Sequence, residues 1–110
     1  MEPTRYFISI YKQRSLEIIR YAELDFENRD YAGAFLISLS IIGDMGSALL
    51  ISKGYYVPST RYVFKVLHLR DIQNKYDRYL ANPDEEAIEK GDAEAALSEA
   101  KRLLSQAKDI

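Results

Sequence analysis

The sequence contains no cysteine, which removes disulfides, thiolate metal sites and cysteine nucleophiles together. That usage fits a reducing, cytoplasmic compartment. Histidine is nearly absent as well. His68 is the sole one, so no metal site of the His/Cys kind is expected, and no cofactor is implied. Five glycines and three prolines are too few for a turn-rich β fold or a disordered chain. Positive charge is not in excess: the net charge of −2 creates no global field that would draw in nucleic acid. The opening Met1-Glu2-Pro3-Thr4-Arg5 lacks a basic region followed by an apolar run, so no signal peptide is expected. The chain also has no Gly-rich phosphate loop, no paired-carboxylate motif and no Ser/His/Asp set, which argues against a metabolic enzyme.

What remains is a chain of 110 residues, 47% hydrophobic and 29% charged, long enough to build one domain over residues 1–110 around a real core. Asn and Gln together number only six, a composition that hints at a thermophile.

Hydrophobic spacing gives helices throughout and no strand. The first helix is predicted from a Thr4 cap to Asn28, with Phe7, Tyr11, Ile18 and Ala22 on its apolar face. Arg14 falls inside that arc, its stem packing while its head reaches water. Asp30 caps a second helix, Tyr31 to Lys53, that is apolar almost all round and therefore belongs at the centre of a bundle. Its length would suit a membrane span, but Asp44 near its middle and its serines favour a buried core helix, so no membrane is expected. Gly33, Gly43, Gly46, Ser40 and Ser47 let a neighbouring backbone come close, either in the same chain or in a second copy. Gly54 ends this helix in the left-handed conformation. Tyr55-Tyr56-Val57-Pro58 is an extended connector, and Ser59 or Thr60 caps a third helix reaching about Leu80. Asn82-Pro83-Asp84-Glu85 signals a short helix to Lys90, closed by Gly91. Asp92 then caps a last helix with Ala93, Ala96, Leu97, Ala100, Leu103, Leu104 and Ala107 on one face. The expected fold is all-α: an up-and-down four-helix bundle with one extra short helix.

Several of these phrases resemble the HEPN domain family: Asp30-Tyr31-Ala32, Ala48-Leu49-Leu50, Lys53-Gly54, Val57-Pro58 with Thr60, and Asp77-Arg78-Tyr79 before the Ala/Leu helix. The resemblance covers nearly the whole chain. It implies a helical bundle that dimerises, in a family that includes toxin-antitoxin ribonucleases, RNases of defence systems and non-catalytic partners of small nucleotidyltransferases. Active members resemble one another in an Arg-x(4–6)-His motif with a polar or acidic residue on the second helix, and cleave RNA without a metal. Here Arg61 and His68 are separated by six residues, and Asp44 is the acidic match. A spacing of seven would place Arg61 and His68 on one helix face, about 10.5 Å apart along the axis. His68 could then take the proton from a ribose 2′-hydroxyl while Arg61 neutralises the phosphate, leaving a cyclic phosphate product.

Charge is uneven along the chain. Residues 59–80 carry Arg61, Lys65, Arg70, Lys75 and Arg78 against Asp71 and Asp77, whereas the C-terminal segment is acidic. The stripe Arg61, Lys65, His68, Ile72, Lys75, Tyr79 can meet RNA phosphates and stack a base, with Arg14 as a further contact, or it can pack on the acidic last helix. Asp44 can pair with Arg14, with Arg61 or with a second subunit. Three functions follow as expectations. The first is a homodimeric module binding a nucleotide, RNA or a protein such as a nucleotidyltransferase. The second is a metal-independent endoribonuclease using Arg61 and His68. The third is an unrelated helical adaptor that holds another protein through Tyr55, Tyr56 and the last helix.

Overall fold

A computed structural model describes residues 3–107 of the chain. Among them lie five helices and no strand: α1 (Pro3–Glu27), α2 (Tyr31–Ser52), α3 (Thr60–Val66), α4 (Arg70–Ala81) and α5 (Lys90–Gln106). The all-α expectation therefore holds.

The central position goes to α2, which packs against α1, α3 and α5. Phe35, Ile41, Ile42 and Met45 are shut off from solvent almost completely, as are Phe64 of α3 and Ala93, Ala96, Ala100 and Leu103 of α5. By length and composition α2 could cross a membrane, but 61% of its most apolar stretch is buried inside the fold, which accounts for its character. The small residues act within the chain. A methyl group on Gly43 would come within 2.9 Å of the Thr60 side chain, and one on Gly46 would overlap Val63 and reach 3.0 Å from Leu67. The missing side chains are what let α3 lie directly on α2.

The α1 face differs from its sequence reading. Its buried residues are Ile8, Ser15 and Ala22, while Phe7 is 53% exposed. Tyr11 and Ile18 pack only at the edge of the core. The buried stripe is thus turned by about 50°, half a residue step around the helix, with Ala22 common to both faces. Both Ser15 and Ser38 are fully buried with hydroxyl oxygens that find no partner among the described residues. The predicted Thr4 cap is also displaced, since Thr4 already lies inside a helix that includes Pro3, a residue suited to a first helical position.

Three helices end the same way. After α1, the Asp30 amide donates to the Asp25 carbonyl (2.8 Å) and the Arg29 amide to the Phe26 carbonyl (3.1 Å). After α2, Tyr55 donates to Leu50 and Gly54 to Ile51; after α3, Leu69 donates to Phe64 (2.7 Å) and His68 to Lys65 (3.2 Å). This paired closure requires a left-handed residue at its apex. Gly54 supplies it with φ 88°, as its type suggests, but Arg29 (φ 63°) and His68 (φ 60°) do so despite carrying side chains. Asp30 then caps α2 by accepting from the Gly33 amide at 2.9 Å, and Ser59 rather than Thr60 caps α3 by accepting from the Tyr62 amide.

Two boundaries need correction. The third helix does not run to Leu80: it stops at Val66, turns at His68 and restarts as α4 at Arg70. The predicted short helix before Lys90 is only a turn, closed by the Glu86 amide on the Asn82 carbonyl. One turn fixes several dihedrals for a single hydrogen bond, and this acidic stretch buries only Ile88 in return. The last helix consequently begins at Lys90, and Asp92 sits in its first turn, its carboxylate accepting from the Glu89 amide at 2.9 Å.

Glycine-to-alanine changes separate packing from helix propensity. Gly46→Ala is expected to lower stability by about 1–3 kcal/mol through collision with Val63. Gly91→Ala, which would meet nothing within 4 Å, is expected to raise it by a few tenths up to about 1 kcal/mol. Urea unfolding followed by circular dichroism measures both.

Candidate functional site

The elbow between α3 and α4 leaves two basic side chains, Lys65 and Arg70, without an ion-pair partner among the described residues, beside His68 and the equally unpaired Asp71. Because α3 is pressed onto α2 through Gly43 and Gly46, its exposed side and the following turn face solvent. Lys65, His68, Arg70 and Asp71 line a shallow cleft there. All four are exposed, and none forms an ion pair among the described residues. No side chain caps the start of α4 beside them.

Arg61 lies on α3 but its guanidinium is committed elsewhere. It crosses the elbow to grip Asp77 of α4 with two hydrogen bonds, Nη1 to Oδ2 at 3.0 Å and Nη2 to Oδ1 at 2.7 Å. Gln73 Nε2 adds a third donor to Asp77 Oδ1 at 3.2 Å. The hydrogen bonds from Arg61 hold the Asp77 carboxyl below its usual value, and the same fork raises that of Arg61. Since the carboxyl is shifted downward, the pair contributes above the ordinary carboxylate range and is lost as the pH falls through the lowered value.

Asp44 has a different partner again. Arg14 of α1 reaches its Oδ2 with Nε at 3.2 Å and Nη2 at 2.8 Å, and the Arg14 guanidinium lies 5.7 Å from the centre of the Tyr11 ring. Of the pairings open to Asp44, the chain makes the one with Arg14, and the Arg14 head stays half-exposed.

No hydrogen bond or ion pair joins any two of Arg61, His68 and Asp44 among the described residues. The single helix face that would have aligned Arg61 with His68 does not exist, because the left-handed turn at His68 comes after α3 has ended. The same turn interrupts the stripe Arg61, Lys65, His68, Ile72, Lys75, Tyr79. Its far half is engaged internally: Lys75, with a side chain only 15% exposed, lies 3.3 Å from Glu86 and 3.7 Å from Asp92, and Tyr79 packs on the core; Arg78, outside the stripe, lies 3.5 Å from Glu86. Basic α4 thus does meet the acidic segment before α5. Of the anticipated nucleic-acid contacts, Lys65 alone stays unpaired at the cleft, and Arg70 joins it. The signal for Arg70 is its position two residues after His68, visible only once the helix break is known. No family model matches the sequence, and neither a curated protein nor a solved structure is significantly similar to it.

Two measurements probe the elbow. His68→Gly is expected to raise stability by about 1 kcal/mol, since glycine adopts a positive φ without the clash a side chain suffers; His68→Ala should give no such gain. Arg61→Gln is expected to return the Asp77 titration upward to the ordinary carboxylate range, read by carboxyl carbon NMR; an unmoved midpoint would show that the fork is absent in solution.

Proposed function

We propose that this chain is a HEPN-like, homodimeric binding module for the phosphates of a nucleotide or RNA, built on an up-and-down four-helix bundle and working beside a partner such as a small nucleotidyltransferase. The observation that carries the reading is the group of Lys65, His68 and Arg70 at the α3–α4 elbow, exposed and without ion-pair partners among the described residues. Lys65 and Arg70, two unpaired cations in one cleft with His68 and Asp71, are suited to an anion that bridges them. The HEPN-like phrases support the same class of ligand. Catalysis is the less favoured use of the site, because Arg61 is held by Asp77 and Asp44 by Arg14.

Binding of a fluorescent single-stranded RNA, measured by anisotropy across a salt series, tests the proposal. Lys65→Ala combined with Arg70→Ala is expected to weaken binding about tenfold or more and to flatten the salt dependence, by about 0.7 in slope for each phosphate that is no longer neutralised. Unchanged binding would remove the elbow from the interface. Chelator-resistant RNA cleavage that disappears in His68→Ala would instead establish the endoribonuclease reading. Absence of any RNA or nucleotide binding would leave the adaptor surface around the exposed Tyr55 and Tyr56 as the better reading.

A further inference from the structure

One face of α1 carries large apolar side chains that stay exposed among the described residues. Phe7, Ile10, Tyr21 and Leu24 are exposed by 53%, 36%, 62% and 52%. With Arg14 and Glu17 between them, these residues follow one another at steps of three, four, three, four and three. That is the spacing of a coiled-coil seam carried for almost three heptads, on a side of the helix distinct from the buried Ile8, Ser15 and Ala22.

The seam is complementary to itself when reversed. If two α1 helices lie antiparallel about a two-fold axis between Ser15 and Leu16, Phe7 faces Leu24 of the partner subunit. Ile10 faces Tyr21 of the partner subunit. At the centre Arg14 faces Glu17 of the partner subunit. Four apolar layers flank two opposite-charge layers. A parallel arrangement would stack Arg14 on its own copy and Glu17 on its own copy, placing like charges together. The central groups are also free to respond. Arg14 spends only Nε and Nη2 on Asp44, leaving Nη1 without a partner among the described residues. Glu17 is exposed and makes no ion pair among them. Glu17, Tyr21 and Leu24 further line a shallow groove running along α1.

We propose that a second copy of this chain covers the face, with the two α1 helices paired antiparallel through Phe7, Ile10, Arg14, Glu17, Tyr21 and Leu24. This gives a specific interface to the homodimer of the reading above, and it deepens that reading. Closed two-fold pairing of one patch with itself is the commonest way soluble chains associate.

Light scattering and cysteine cross-linking test the interface without reference to RNA, so a failed dimer and a failed binding site are told apart. The full chain is expected at twice its 12.7 kDa mass. Leu24→Glu is expected to return it to the monomer mass while circular dichroism stays helical, since Leu24 lies outside the core. As the chain has no cysteine of its own, an Ile10→Cys chain mixed with a Tyr21→Cys chain should oxidise to a covalent heterodimer. Ile10→Cys alone should not cross-link. A wild-type monomer at about 100 µM, a concentration at which a dimer of micromolar Kd is mostly formed, a Leu24→Glu chain that still dimerises, or an Ile10→Cys chain that cross-links to itself would each overturn the proposal.

Discussion

The architecture depends on how closely α3 can approach α2. Two glycines, Gly43 and Gly46, remove the side chains that would otherwise hold Thr60, Val63 and Leu67 away. Val63 and Phe64 are buried as a result, although α3 is only seven residues long and could not persist by itself in water. The packing against α2 gives this short helix its stability. It also fixes the point at which the chain must turn back, and so determines where Lys65, His68 and Arg70 are displayed.

Around that close approach, polar interactions set direction more than they add stability. The Arg61–Asp77 fork ties α3 to α4 across the elbow, and the Arg14–Asp44 pair ties α1 to α2. Lys75 brings Glu86 and Asp92 to α4 and so links the loop and the start of α5 to it. Pairs as exposed as the first two are weak sources of folding energy. Their effect lies in matching cations to carboxylates at the surface, so that neither is left without a partner. Among the basic residues of the α3–α4 region, those left over are the ones at the elbow, which is why the cleft there is the best candidate site.

Much of this is legible in the order of residues. The all-α class, the central α2, the Asp30 and Gly54 boundaries and the α5 stripe follow from spacing and capping chemistry, which act over three or four residues. The departures have a common origin. Nothing in the side chain of His68 marks a left-handed position, so periodicity alone makes it a helix residue; only the burial of Phe64 and Leu69 on either side makes that turn worthwhile. Apolar character alone places Phe7 in the core beside Ala22, whereas the side of α1 that faces α2 and α5 keeps Ala22 and selects Ile8 and Ser15 with it.

The amino-acid sequence by itself determined the all-helical class, the first, second and last helices, which helix is apolar enough to be central and which stretch of the chain is basic. Helix formation is governed by local hydrogen bonds, caps and periodicity, and all of these are written in neighbouring residues. Only the tertiary structure decided that the third helix breaks, that Arg61 is matched to Asp77 and Asp44 to Arg14, and that one side of α1 remains uncovered. Those outcomes turn on which surfaces meet across separations of 16 to 30 residues along the chain. Local pattern carries no record of such meetings until the packing of α2 brings the surfaces together.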